Sequence, residues 1–172
     1  MVSLVKNRKA KLIANQVINL EIEALKLLKK SINNNFEKAV NAIINCQSKI
    51  ILCGVGKSGL IASKIASTMS SVGSPAFSLS ANDCLHGDLG SITKKDVLIL
   101  ISNSGKSEEL IPIIKFANRN KIKLIGIVSK KNSILYKASD IKILLPEVKE
   151  SGLGIVPTSS TSIQLAIGDA LA

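Results

Sequence analysis

Five short apolar runs, separated by segments of helical pattern, constrain this chain more than anything else in its sequence. They are Lys49-Ile50-Ile51-Leu52-Cys53, Pro75-Ala76-Phe77-Ser78-Leu79, Asp96-Val97-Leu98-Ile99-Leu100-Ile101, Lys123-Leu124-Ile125-Gly126-Ile127-Val128 and Asp140-Ile141-Lys142-Ile143-Leu144-Leu145. Most are near-continuously apolar, as strands buried on both faces are. Helical patterns run from Leu60 to Ser71, from about Ser107 to Asn118, from Ser133 to Ala138 and from Thr158 onward. Strands joined through helices return in the same direction, so the alternation predicts an α/β fold: a three-layer α/β/α sandwich around a five-stranded parallel sheet. Two further helices, Asn15 to Asn34 and Phe36 to Cys46, precede the first strand and break at Asn33-Asn34-Asn35. Ile18, Leu25, Leu28 and Ile32 form the apolar stripe of the first. No linker, repeat or low-complexity tract interrupts the pattern. The chain therefore reads as one domain, residues 1–172, with N-terminal helices in 1–47 and the sheet with its covering helices in 48–172. The last residues, Gly168 to Ala172, lie inside a helical pattern with no C-cap, which suggests a C-terminal truncation.

Composition removes several function classes. A length of 172 residues with 46% apolar content suffices for a real core and argues against disorder. No apolar run approaches the ~20 residues that span a bilayer, and no signal-peptide pattern follows Met1, so the expectation is a cytoplasmic protein without membrane contact. Cys46, Cys53 and Cys84 are odd in number and outside any C-x-x-C spacing, which suggests reduced thiols. The net charge of +11 raises the question of nucleic acid. The lysines are dispersed, however, and one tyrosine and three phenylalanines leave little for base stacking, so no nucleic-acid partner is expected.

The chemistry concentrates at strand ends. Ile101-Ser102-Asn103-Ser104-Gly105-Lys106-Ser107 ends an apolar run in hydroxyl residues and a glycine just before a helix. Free N–H groups at such a helix start hold anions, and Ser102, Ser104 and Ser107 add donors without bulk. Gly54-Val55-Gly56-Lys57-Ser58-Gly59 matches the dinucleotide glycine pattern, but Ser80 ends the next strand where an acidic ribose ligand belongs. It also fails as a P-loop, because Ile51 holds the required upstream glycine position. What remains is a tight turn presenting Lys57 and Ser58, which by itself could be purely structural. His86, the single histidine, sits in a polar Gly-Asp loop, a setting that suits proton transfer better than core packing. Glu109 near the next helix start could serve only the helix dipole, Glu150 could be an ordinary solvated loop residue, and Thr158 could simply cap the last helix.

Four motifs in order carry a family resemblance: Gly54 to Gly59, Leu85-His86-Gly87-Asp88-Leu89-Gly90, Ile101 to Gly105, and Pro157-Thr158-Ser159-Ser160-Thr161 followed by Gly168-Asp169-Ala170-Leu171-Ala172. From about residue 15 onward the chain resembles the sugar isomerase (SIS) domain of bacterial D-arabinose 5-phosphate isomerases, a flavodoxin- or Rossmann-like sandwich. The resemblance implies interconversion of D-ribulose 5-phosphate and D-arabinose 5-phosphate through an enediol, supplying 3-deoxy-D-manno-octulosonate for lipopolysaccharide. It implies a homo-oligomer, usually a tetramer, and no organic cofactor.

By the same resemblance Lys57, His86, Glu109 and Glu150 are the catalytic set. Glu150 is expected to be the carbon base, His86 the ring-opening or oxygen-shuttling group, Lys57 the stabiliser of negative charge and Glu109 an orienting or relaying group, although which carboxylate takes the proton stays open. Substrate contacts fall on Ser102, Asn103, Ser104, Gly105 and Ser107, with Ser58 nearby and the N–H groups of Gly105 and Lys106 helping. Gly73 and Ser74 match a contacting pair, and Thr158 and Ser159 are helix cap first and ligand contact second. The chain departs from the pattern in three places. Ser80 replaces a histidine that binds metal in some members, so no metal is expected; Lys106 stands where glutamate is common; and the loop after Glu150, Ser151-Gly152-Leu153-Gly154, is one residue short. The regulatory cystathionine-synthase-type (CBS) domain pair that often follows is absent from the sequence. A sugar-phosphate sensor without turnover, and an isomerase of another aldose phosphate, are the alternatives.

Overall fold

A computed structural model of the chain describes residues 2–152 and 154–172, with side chains from residue 9 onward. Leu153, in the shortened loop, lies outside the described residues. Five strands, β1 (Ile50–Gly54), β2 (Ala76–Ser80), β3 (Val97–Ser102), β4 (Lys123–Val128) and β5 (Ile141–Leu144), form one sheet in the order β2-β1-β3-β4-β5. Every neighbouring pair is parallel. The predicted sheet is therefore present with all five strands.

Alternate residues of the strands feed two cores. Ile50, Leu52, Ile99, Ile101, Ile125, Ile127 and Ile143 face one side, where α1 (Val2–Ser31), α2 (Asn34–Ile44), α3 (Lys57–Ser71) and α7 (Ser159–Leu171) contribute Ala24, Leu28, Ile43, Ile65, Met69, Ile163 and Ile167. Ile51, Cys53, Leu98, Leu100, Leu124 and Val128 face the other, under α4 (Ala81–Cys84), α5 (Leu110–Arg119) and α6 (Ile134–Ala138), which contribute Cys84, Leu110, Ile113, Ala117 and Leu135. Each fully buried Ile or Leu is worth about 1.5–3 kcal/mol over an exposed one, so this double-sided filling is what selects the parallel sheet.

Several boundaries move by a residue, for a common reason. Lys49, Asp96 and Asp140 start their runs in sequence and stand just before their strands, where the Asp96 and Asp140 carboxylates bond N–H groups at neighbouring strand starts. The Asp96 carboxylate, 1% exposed, accepts from Lys49 Nζ at 2.9 Å and from the Thr93 N–H at 2.7 Å. Asp140 accepts the Leu124 N–H at 2.8 Å. α5 begins at Leu110 rather than Ser107, because Leu110 and Ile111 donate three residues back, to the Ser107 and Glu108 carbonyls at 3.1 and 3.0 Å, in a tighter turn. The first helix runs back to Val2, well before Asn15; its Lys, Arg, Ala and Leu residues form helix readily without an apolar stripe. Of the predicted stripe only Leu28 is buried, while Ile18, Leu25 and Ile32 are 54%, 40% and 48% exposed.

In this strand order the chain leaves β1 in one direction toward β2 and returns on its other side at β3. The loops after β1 and β3 thus meet at a topological switch point, where open parallel sheets bind ligands.

Candidate functional site

The loop after β1 is shaped by its glycines. A Cβ on Gly54 would lie 2.7 Å from the Ser58 carbonyl carbon, and one on Gly59 would lie 2.8 Å from the Gly54 oxygen, so the end of β1 and the first turn of α3 touch backbone to backbone. Gly56 between them has φ +57°. Lys57 and Ser58 therefore occupy the first turn of α3, at the C-terminal edge of the sheet. Lys57 is exposed and takes no ion pair among the described residues. Ser58 is half-buried and donates to Oε1 of Gln164 on α7 at 3.0 Å.

The serine loop after β3 is largely bonded to itself. The Ser102 and Ser107 hydroxyls lie 3.1 Å apart, the Gly105 N–H donates to Ser102 Oγ at 3.0 Å, and the Lys106 N–H donates to Ser104 Oγ at 3.2 Å. The N–H groups of Gly105 and Lys106, expected to hold a phosphate, are thus engaged by the loop's own hydroxyl oxygens. The N–H groups of Ser107, Glu108 and Glu109, in the turn entering α5, take no backbone acceptor among the described residues. They are the donors free for an anion, beside the Ser107 hydroxyl. Gly105 has φ +62°, and a Cβ there would overlap the Ser133 hydroxyl. Asn103 anchors the loop to the end of β4: its Oδ1 accepts from Ser129 Oγ at 2.7 Å and its carbonyl from the Ser129 N–H at 3.1 Å. Glu109, placed by sequence in the first turn of α5, stands just before it, at the N-cap position, and its side chain makes no capping bond.

Glu150 is where sequence and structure differ most. Its Oε2 accepts from the Thr158 N–H at 2.7 Å, the Thr158 hydroxyl at 3.1 Å and the Ser160 N–H at 3.3 Å. The cap of α7 is therefore the Glu150 carboxylate, not Thr158, which holds the N-cap position with no side-chain capping bond of its own. The negative charge at the positive end of the helix is the physical reason. Burial pushes the Glu150 carboxyl up, but hydrogen bonds from the Ser160 hydroxyl and from the Thr158 and Ser160 N–H groups outweigh it, and the net shift is downward from the ordinary glutamate value. Glu150 is ionised at neutral pH. The bonds from the Thr158 N–H, the Thr158 hydroxyl and the Ser160 N–H all end on Oε2. Ser159, one residue along, is fully buried, with a hydroxyl that meets no partner among the described residues.

Two groups of expected residues do not join this cluster. His86 is exposed in the turn between α4 and a 3-10 turn at Asp88–Ser91, following the edge strand β2, and no hydrogen bond links its ring to another candidate among the described residues. Gly73 and Ser74 precede β2, at the opposite edge of the sheet. Gly73, at φ +93°, donates to the Ser70 carbonyl, and the Ser74 N–H reaches back to Met69 at 3.0 Å, which is how α3 is terminated. Within this chain they form the stop of α3. Gln164, 1% exposed, is the residue the sequence reading missed. A lone glutamine among apolar positions at helical spacing was its signal.

Cys53 and Cys84 are poor nucleophiles. Burial pushes the Cys53 thiol up to about 12, and burial and then the nearby Asp88 charge raise Cys84. A cleft of about 660 Å³ between α1 and the Glu150–Gly152 segment is walled by Ile13, Val17 and Leu20 and brings no cation to its lining. That lining does not suit a phosphate, for which the turn entering α5 is the better place. Among the described residues no three His, Cys, Asp or Glu side chains converge as a metal site, and no helix is long and apolar enough to cross a membrane.

Comparison with known proteins agrees with this geometry. The SIS domain family matches residues 43–172. The chain is 44% identical over 158 residues to the arabinose 5-phosphate isomerase KdsD of Yersinia pestis, covering 91% of this chain and 48% of that protein. It is 45% identical over 163 residues to the KdsD of Francisella tularensis, covering 92% and 50%. The chain thus spans about half the length of the curated relatives it matches. Among solved structures, the Escherichia coli CFT073 protein c3406 in complex with arabinose 5-phosphate superposes with a TM-score of 0.92 at 32% identity, covering 96% of this chain and 88% of that one. With the family match extending over most of the chain and the sheet order, the glycine turn and the serine loop in place, this protein belongs to the SIS domain family.

Proposed function

We propose that this single domain binds a short sugar phosphate and interconverts D-ribulose 5-phosphate and D-arabinose 5-phosphate by proton transfer through an enediol. The observation that carries the reading is the state of Glu150: ionised, fixed through one oxygen at the start of α7, at the same edge of the sheet as the serine loop. The bonds from Thr158 and the Ser160 N–H end on Oε2, which leaves Oε1 to take a proton, although the lowered pKa makes this a weaker base than a carboxylate poised near the working pH. The names of the relatives, and the ligand of the structural neighbour, supply the substrate class.

In the proposed step the phosphate sits at the turn entering α5, on the N–H groups of residues 107–109 and the hydroxyls of Ser102, Ser104 and Ser107. Glu150 removes the proton from the carbon beside the carbonyl and returns it to the neighbouring carbon. A second group moves the proton between the two oxygens; His86 is suited by its chemistry, with Glu109 orienting or relaying. Lys57 offsets charge on the enediolate oxygen. A tetrameric assembly and a place in lipopolysaccharide synthesis belong to the same proposal and rest on the resemblance; a cytoplasmic location is proposed beside them from the sequence pattern.

The test is direct turnover by purified protein, supplying ribulose 5-phosphate and measuring arabinose 5-phosphate. Turnover lost in Glu150→Gln and depressed in His86→Ala supports the assignment; turnover untouched by both overturns it. A second reading, a sensor that binds without turnover, is favoured by one observation: no hydrogen bond joins Lys57 or His86 to Glu150 among the described residues. Tight binding with no turnover in the intact chain would establish it.

A further inference from the structure

The bond between Ser58 and Gln164 spans 106 positions in sequence and joins the glycine turn to α7. A serine hydroxyl has one proton and two acceptor lone pairs. In this structure the proton is committed: Ser58 Oγ donates to Gln164 Oε1 at 3.0 Å. What Ser58 has left to offer a ligand is acceptance alone. A phosphate dianion has only acceptors, so it gains nothing from such a group and meets lone pairs facing lone pairs. A sugar hydroxyl has a proton to give.

The arrangement is built to hold this orientation. Gln164 is 1% exposed and lies one helical turn beyond Ser160, itself 2% exposed. Next to it α3 and α7 approach so closely that a Cβ on Gly168 would overlap Ile65, and Lys64 pairs with Asp169 at the far end of the same seam. A glutamine packed in a tight helix crossing has little room to withdraw. The hydroxyls of the serine loop are engaged differently, Ser102 and Ser107 with each other.

We infer that Gln164 is a positioning residue that fixes the Ser58 hydroxyl as a hydrogen-bond acceptor, so that Ser58 receives a sugar hydroxyl of the substrate rather than its phosphate. This rests on the sugar-phosphate reading of the site and deepens it: the serine loop reads the charged end, and the α3–α7 seam reads the polyol end. Gln164 would touch no substrate atom itself.

The experiment compares Ser58→Ala, Gln164→Met and Gln164→Glu with the intact chain. It measures kcat and KM for ribulose 5-phosphate, the inhibition constant of inorganic phosphate, and the melting temperature. Losing the acceptor, or its orientation, should raise KM about five- to tenfold, the size of one hydrogen bond. Inorganic phosphate, which reports the serine loop alone, should inhibit all forms equally. Gln164→Glu still accepts the serine proton and should restore KM toward the parent value. A melting temperature that falls in Gln164→Met while KM stays put would mark a merely structural bond and overturn the inference. So would tighter inorganic phosphate inhibition in Gln164→Met, since it would place the released Ser58 proton on the phosphate, or an unchanged KM in Ser58→Ala, a variant that leaves the buried glutamine in place. If the intact chain shows no turnover, the isomerase reading falls, and the same contrast measured as calorimetric affinities for ribulose 5-phosphate and inorganic phosphate still decides the role of Ser58. If neither is bound, the sugar-phosphate reading itself is lost, before any variant is made.

Discussion

The serine loop and the start of α7 lie at the same edge of the sheet and are organised in opposite ways. The hydroxyls of the serine loop bond within two to five residues, Ser102 to Gly105, Ser104 to Lys106 and Ser102 to Ser107, while Asn103 ties the loop to Ser129 after β4. The start of α7 is held by Glu150 from eight and ten residues away and by Ser58 from 106. The first region rests on its own hydroxyls and on the segment after β4; the second rests on one carboxylate and the Ser58–Gln164 bond. A short-range loop suits an unchanging ligand group such as a phosphate. A side chain that caps a helix and, in the proposed step, takes a proton from carbon would tie the chemistry to the placement of that helix.

Substitutions at Glu150 should break this contrast most strongly. Glu150→Gln keeps an acceptor for the α7 N–H groups but loses the base, so turnover should fall about 10²–10⁴-fold with little change in melting temperature. Glu150→Ala should lose turnover equally and, with the cap gone, about 1–2 kcal/mol of stability as well, read as a lowered melting temperature. Equal melting points for the two variants would mean that the carboxylate does not hold α7.

On the other side of the comparison, Gly105→Ala should destabilise the chain by about 1–3 kcal/mol, since it forces a side chain to positive φ and into Ser133. It should also raise KM, because the serine loop is displaced. Ser102→Ala and Ser107→Ala remove one hydroxyl each and should raise KM up to about tenfold with kcat nearly kept, the mark of binding lost equally in ground and transition states. A fall in kcat alone would move these serines from the phosphate to the chemistry.

Acid should separate the two regions more gently. The Glu150 pKa is lowered in the folded chain, so its contribution to stability is complete above the ordinary glutamate value of about 4.3 and is lost as pH falls through the lower folded value. A melting series from pH 6 down to pH 3 should show this loss in the parent chain and a flatter curve in Glu150→Gln. Smallest of all, Thr158→Val removes one of the bonds to Glu150 and should cost about 0.5–1.5 kcal/mol.

The same division explains what could be read from the sequence. The strands were readable because burial on both faces leaves a near-continuous apolar run, and β4 was placed to the residue at both ends. The serine loop was readable because its causes are local. Glu150 as cap was not, because a carboxylate eight residues before a helix leaves no periodic trace, and Thr158 in the usual capping position offered a simpler account. Gln164 was passed over because a helical pattern records which face is buried and not which polar group on that face has a partner. Gly73 and Ser74 were grouped with the site by motif alone, and motif matching does not show on which edge of the sheet a residue falls; these two precede β2. The stripe of the first helix shows a related limit, since apolar spacing marks a face that could be buried without naming what covers it.

The backbone contact between Gly54 and Gly59 has a consequence for how such a site can change over generations. Neither position admits a side chain, and Gly56 needs a conformation that other residues resist, so the turn is a mould whose shape is set by three absences. Lys57 and Ser58 stand on that mould without helping to form it. A lineage could therefore exchange a cation for a neutral group, or a hydroxyl for a methyl, and try another ligand at this edge while the strand and helix beneath stayed where they are.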